Sequence, residues 1–265
     1  MPNILYIVFA EHNDTAIVEN QLRLINKPSH ITKGHRNYES TLRLNRGPLF
    51  VPEWDGKNFA NFRAAVDSRE FRQDLEQLRD DVALMYANGG VDKVITRGHG
   101  SPTSYAGMSP RCLAELLRYV GLDACGKIDL TGCNLGIGPG ITQEEVGQRP
   151  ASSIGRNSFA QRFQLEMYDN AVGAQQRCYT VHARTSQMTV NDQGRKEIKV
   201  ANGTWKNKAL RDKIIFSIDA HRNQTMTYAR DFDTNTRKMC PLCRTETGKD
   251  AAQCPGCNAL ILFEL

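Results

Sequence analysis

The chain has no apolar run approaching the roughly 20 residues that a membrane-spanning helix requires. Its opening stretch NILYIVFA, Asn3 to Ala10, has no basic segment before it and no small-residue cleavage pattern after it. It therefore reads as a buried first strand rather than a signal peptide. The expectation is a cytoplasmic protein without a membrane partner, with unconventional delivery into a host cell as the other route. There is no internal repeat and no low-complexity tract, so solenoid and fibrous classes are excluded. Charge of one sign is also scarce: 34 basic against 29 acidic residues leave only +5 over 265 residues. A chain-wide polyanion-binding role is not implied. The eight cysteines do not form a secreted disulfide framework, because Cys240, Cys243, Cys254 and Cys257 crowd the C-terminus while Cys112, Cys125, Cys133 and Cys178 are scattered through apolar segments.

What is present is an ordinary globular composition, 40% hydrophobic and 24% charged, with enough chain for a large domain and a small appendage. Phe71, Leu75, Leu78, Val82 and Met85 recur at helical spacing and predict an amphipathic helix ending at Asn88-Gly89-Gly90. DKVITRGHG is a short strand entering a glycine turn. MSPRCLAELLRYVG then reads as a helix with Ser109 as N-cap and Pro110 in the first turn. KIDLTGC is a second short strand, and strand, helix, strand at this spacing predicts a right-handed crossover in a parallel sheet. The Gly/Pro-rich stretch from Asn134 to Gly155 is expected to be a loop or lid. SFAQRFQLEMYDN reads as a helix, CYTVHARTSQMTV and KEIKV as strands joined at Asn191-Asp192-Gln193-Gly194, and KIIFSID as a last strand. His221 to Lys238 lacks apolar periodicity and is expected to be a linker, which divides the chain into 1–220, a linker 221–238 and a C-terminal module 239–265.

In such a sheet, ligands meet the loops that leave the carboxyl ends of the strands. Here those loops carry His99 and Cys133. A thiol with its usual pKa of about 8.5 is mostly protonated at neutral pH, and an adjacent imidazole is the common activator. Glycines beside both residues let a substrate backbone approach and leave the Gly100 and Cys133 amides to face a developing oxyanion. Either residue alone is more often structural, but the paired pattern favours catalysis. His182 reads as structural, Cys112 and Cys125 as packing residues, and His12, His30 and His35 as exposed residues of a basic N-terminal region. A third catalytic role for Asp129 is conceivable without being supported.

The His-Gly and Gly-Cys blocks resemble the caspase-like superfamily of cysteine peptidases. SFAQRFQLEMYDN with CYTVHARTSQMTVNDQGRKEIKVANGTWKNKA narrows the likeness to the self-processing protease domain of multifunctional RTX toxins and large clostridial toxins. The resemblance implies an α/β fold, a caspase-like mostly parallel sheet flanked by helices, with a His99/Cys133 dyad. It also implies cleavage of proteins after leucine and activation by inositol hexakisphosphate. The phosphate-binding hairpin flap carries over onto Arg184, Arg195, Lys196, Trp205 and Lys208. Independently, seven basic residues stand against two acidic ones from Arg195 to Lys213, enough donors for a polyphosphate, although a solvated basic face would look the same. The chain opens almost directly on the first strand, and 221–238 contains no leucine. The substrate is therefore expected to be another protein, cut in trans.

Two Cys-x-x-Cys knuckles, Cys240/Cys243 and Cys254/Cys257, have the spacing of a closed tetrahedral Zn²⁺ site, a structural zinc ribbon. Such a ribbon can bind protein, bind nucleic acid or simply stabilise. The rival reading of the whole chain is a non-catalytic nucleic-acid- or protein-binding module built on the basic hairpin and ribbon. A third is an inactive inositol-phosphate sensor.

Overall fold

The computed structural model describes residues 3–11, 15–25, 36–44, 69–169, 179–192, 195–207, 209–231, 237–240, 242–248 and 251–260. The first half carries β1 (Asn3–Glu11), α1 (Thr15–Ile25), β2 (Arg36–Leu44), α2 (Arg69–Ala87), β3 (Lys93–Arg97), α3 (Pro110–Tyr119) and β4 (Lys127–Thr131). Then come three helices, α4 (Gln143–Gln148), α5 (Ala151–Ile154) and α6 (Phe159–Asp169), followed by β5 (Thr180–Arg184). A small antiparallel sheet follows, of β6 (Met188–Val190), β7 (Lys196–Lys199) and β8 (Trp205–Asn207). The chain continues through β9 (Lys213–Ile218) and β10 (Gln224–Tyr228) to a two-stranded ribbon of β11 (Arg237–Met239) and β12 (Glu246–Gly248).

The main sheet has seven strands in the order β10-β9-β5-β4-β3-β1-β2. Strands β2, β1, β3, β4 and β5 run parallel, and β9 and β10 add an antiparallel edge. The mostly parallel α/β sheet expected from the strand–helix–strand pattern is thus present. Alternation along β1 separates the two faces, as the period-2 geometry of a strand requires. Leu5, Ile7 and Phe9 join Leu75, Leu78, Val82 and Met85 of α2, together with apolar residues of α3 and α6, in one buried core. Val8 and Ala10 point the other way, onto Ile17 of α1. Helix α3 starts as predicted, with Pro110 in its first turn and the Ser109 hydroxyl accepting from the Cys112 amide at 3.1 Å. Cys112 and Cys125 lie in the same core, and burial pushes the Cys112 thiol up to about 12.

Three expectations change. The stretch 134–155 is not a lid: Leu135, Ile137, Val146, Ala151 and Ile154 are core residues, and α4 begins in a capping box of Thr142 and Glu145. Its helical segments are too short to show a 3.6-residue period among the glycines. Residues 221–238 are not simply a linker, because β10 pairs in register with β9 from Gln224↔Ile218 to Tyr228↔Ile214 and β11 starts at Arg237. Strand QTMTY is polar on alternate positions because it is an edge strand with one face outward, and this hid it. The single strand expected from Cys178 to Val190 breaks at 185–187 into β5, in the main sheet, and β6, in the hairpin. His12, His30, His35, Cys178 and Lys208 lie outside the described residues.

Candidate active site and cysteine cluster

Strands β3 and β4 are direct neighbours, with Arg97 opposite Thr131, so the loops that follow them leave the sheet side by side. The glycines allow the two loops to touch. A Cβ on Gly100 would stand 2.7 Å from the carbonyl oxygen and 2.9 Å from the amide nitrogen of Cys133. One on Gly132 would stand 2.7 Å from the Tyr105 ring and 3.0 Å from the Gly98 carbonyl. Tyr105 is the shelf under both loops. It is buried, donates its hydroxyl to Thr96 Oγ1 at 3.0 Å, and is braced by the rings of Phe9 and Phe159 at 5.7 and 5.9 Å. The His99 carbonyl accepts from the Ala106 amide at 2.7 Å, which fixes the first loop. Beyond Cys133, Asn134 adopts a left-handed φ of 57° and donates its amide to the Ser186 carbonyl. The Cys133 loop is thereby tied to the turn between β5 and the hairpin. His99 is exposed and Cys133 half-buried. A cleft of about 430 Å³ opens next to the Cys133 loop at Asn134, with Gln143, Ser186 and Lys199 also in its wall, while His99 and Cys133 themselves do not line it.

Behind the second loop lies a charge cluster that reading the sequence as separate motifs does not assemble. The sheet registers place Asp129 in one row with Tyr6, Ile95 and His182. Its buried carboxylate is approached by Lys93 at 3.2 Å, Lys213 at 3.9 Å and Lys196 at 4.0 Å. Burial opposes the charge on Asp129, but the surrounding cations hold its carboxyl well below the ordinary carboxylate range. One carboxylate does not satisfy so many cations. Burial, together with the other cations, outweighs Asp129 and draws the Lys196 ammonium down to about 7. Lys213 is lowered for the same first reason, burial. Lys196 also donates to Thr131 Oγ1 at 3.0 Å, two residues before Cys133. His182, expected to be structural, lies on β5 opposite Asp129, and burial pulls its imidazole down to about 4.

Of the five residues expected at a phosphate site, Arg184 and Lys196 are brought into this neighbourhood. Arg184 is buried and paired with Asp212 at 2.6 Å, which also takes Arg230 at 2.7 Å, and its Nε has no hydrogen-bond partner among the described residues. Arg195 is exposed at the start of the hairpin's second strand, and Trp205 sits opposite Lys199 at the far end of β7 from Lys196. Lys93 and Lys213, which the structure adds, sit on other strands, and no local motif marks them.

Residues 70–199 match the Peptidase C80 family. The match runs from α2 through β7 and includes both the His99 and the Cys133 loops, and a cysteine peptidase is the class it supports. That is the family of the RTX and clostridial toxin autoprocessing domain, so the likeness read from the sequence stands. No curated protein matches the chain. Among the described residues, no helix is long and apolar enough to cross a membrane.

Outside the C80 match, the four C-terminal cysteines converge. Their sulfurs all lie within 4.8 Å of one another, with Cys240–Cys257 at 3.7 Å and Cys243–Cys254 at 3.4 Å. Four thiolates about 2.3 Å from a tetrahedral zinc would be spaced at about this range. The two knuckles repeat one geometry. Arg244, after the first, has φ 54° and donates its amide to the Cys240 carbonyl; Asn258, after the second, has φ 57° and donates to that of Cys254. The cluster fits a metal, and its tetrahedral all-cysteine donor set is consistent with zinc. Cys240, Cys243 and Cys254 are buried against Met188, Val190, Ile198 and Val200 of the hairpin region, and Cys133 borders the same apolar cluster.

Proposed function

We propose that the protein is a caspase-like cysteine endopeptidase with a His99/Cys133 dyad, acting in trans on protein substrates and activated by an inositol polyphosphate. The observation that carries the catalytic part is the approach of the Gly100 backbone onto that of Cys133, which sets the two loops against each other within the C80-matched segment. His99 takes the thiol proton, and the thiolate of Cys133 attacks the scissile carbonyl. The amides of Gly100 and Cys133 stabilise the oxyanion. The proton then passes from His99 to the leaving amine, and water hydrolyses the thioester to release the acyl product and restore the thiol. Zinc, when bound, supplies structural cross-linking of the knuckles and no chemistry to this step.

The carrying test is the intact mass of the full chain after exposure to a leucine-bearing peptidyl electrophile, with and without inositol hexakisphosphate. One adduct per chain is expected, on Cys133, faster with the polyphosphate. A wild-type chain that stays unmodified by this and other peptidyl electrophiles would overturn the reading in favour of a binding protein.

The activator part rests on the excess of cations around Asp129. A polyphosphate among Lys93, Lys196, Lys213 and Arg184, with Arg195 at the rim, would supply the missing negative charge, and Lys196 connects that place to Thr131 and the Cys133 loop. The cluster predicts a pH dependence. Lys196 is held down to about 7 when free, and a bound polyanion raises its pKa again. Binding therefore takes up a proton, and affinity rises as pH falls from the bound value towards 7 and levels off below it. Titration calorimetry at pH 8 in buffers of different ionisation enthalpy should show more proton uptake by the wild type than by Lys196→Gln, since the ligand's own phosphate groups contribute to both. Equal proton exchange in the two proteins would remove Lys196 from the site.

A further inference from the structure

The knuckle that follows the sheet does more than pack. Arg244, immediately after Cys243, is only 2% exposed, an uncommon fate for an arginine. Its guanidinium leaves the knuckle and reaches Gln143, a residue of the cleft wall, from behind. Nη2 donates to Gln143 Oε1 at 2.6 Å, and Nη1 donates to Thr185 Oγ1 at 3.1 Å and to the Arg211 carbonyl at 3.3 Å. Gln143 in turn donates Nε2 to the Thr185 carbonyl at 2.9 Å and to Asn134 Oδ1 at 3.4 Å. Asn134 is the residue after Cys133, and its amide is held by Ser186. Asn134, Gln143 and Ser186 all line the cleft, which reaches the Cys133 loop at Asn134. Two further bonds fasten the knuckle to the hairpin: the Asn202 amide to the Leu242 carbonyl at 3.2 Å, and Lys206 Nζ to Thr245 Oγ1 at 2.5 Å.

From this chain of contacts we infer that the cysteine knuckle is part of the peptide-binding machinery, with Arg244 as a positioning residue that holds Gln143 and Thr185 against the Cys133 loop. The inference rests on the peptidase reading and deepens it. The left-handed turn that lets Cys240 and Cys243 face one centre also aims Arg244, so the fold of the knuckle and the shape of the cleft are set together. The guanidinium suits this place because a planar fork reaches Thr185 and Gln143 at once, which a lysine ammonium does not. Arg244 touches no reacting atom. Its loss should weaken peptide binding in the cleft and leave the reactivity of the thiol alone.

The test compares the full-length wild-type chain with Arg244→Gln and Arg244→Lys, each measured for bound zinc, for alkylation of Cys133 by iodoacetamide, and for labelling by the peptidyl electrophile. Arg244→Gln is expected to keep its zinc and its iodoacetamide rate but to lose about tenfold in peptidyl labelling, the scale of one or two lost charged hydrogen bonds. The loss should appear in the half-saturating concentration rather than in the maximal rate. Arg244→Lys should fall between. Gln143→Ala, which leaves the knuckle intact, should reproduce the loss and serves where Arg244→Gln does not fold. Unchanged peptidyl labelling in a zinc-loaded Arg244→Gln, or in Gln143→Ala, overturns the inference and leaves the peptidase standing. A wild-type chain whose Cys133 reacts with iodoacetamide but with no peptidyl electrophile overturns both.

Discussion

Cys133→Ala is expected to reduce peptide hydrolysis to the rate seen without protein, while His99→Ala is expected to lose about 10²–10⁴-fold, the usual share of a positioned acid–base group. The asymmetry follows from their roles. Without the sulfur no acyl-enzyme forms, whereas without the imidazole a small thiolate fraction still attacks and only proton delivery fails. Thermal melting should change little in either variant, since His99 is exposed and Cys133 only half-buried. Initial rates measured beside melting curves check both points. Turnover surviving in Cys133→Ala would put the nucleophile elsewhere.

The largest stability effect is expected at Asp129, a residue with no contact to the proposed chemistry. Asp129→Ala leaves Lys93, Lys196 and Lys213 facing one another in a buried site. Removing one partner from a buried ion cluster costs about 3–5 kcal/mol, which for a chain of this size corresponds to a melting temperature lower by about 10 °C at pH 7. The sign with pH is fixed by the direction of the shift. Asp129 titrates below its unfolded value, so its contribution is full above about pH 4 and is lost as pH falls through the folded value. The gap between wild type and variant should therefore be widest at neutral pH and close in strong acid. Sulfate or phosphate should raise the melting temperature of the variant more than that of the wild type, by standing in for the lost carboxylate. Equal melting temperatures at pH 7 would show that the three lysines are not mutually confined.

What could be read from the sequence was whatever is local. The helix from 69 to 87 announces itself by Leu75, Leu78, Val82 and Met85; the start of α3 by Ser-Pro; and the β3–α3–β4 crossover by two apolar strands that end in glycine. The four cysteines are legible because Cys-x-x-Cys is a complete local instruction for half a metal site. The rest depends on register between distant segments. Asp129, Lys93, Lys196 and Lys213 lie on four strands, and only the sheet order brings them together. Arg244 reads as one more charge in a polar loop until the fold shows it buried. Strand β10 escaped because QTMTY is an edge strand, where polar residues on the outward face are the rule and the apolar pattern is weakest. The short helices α4 and α5 escaped for lack of length, and their burial comes from packing on β10, where Tyr228 donates its hydroxyl to the Arg149 carbonyl at 3.0 Å.

The pairing of Arg184 with Lys213 places the last residue of β5 directly opposite the first of β9. Everything from 185 to 212, the small three-stranded sheet included, is thus an excursion that leaves the main sheet and returns to it at one rung. The entropy of closing such an excursion depends only on the logarithm of its length. Its length can therefore change at small entropic expense to the seven strands below, as long as Lys196 and Asp212 keep their buried partners Asp129 and Arg184. Evolution could equally lengthen, shorten or exchange this segment without renegotiating the fold. A graftable element that packs against Cys133, clasped from outside by the four-cysteine knuckle, would let the control of the proposed peptidase change hands while the His99 and Cys133 loops stay as they are.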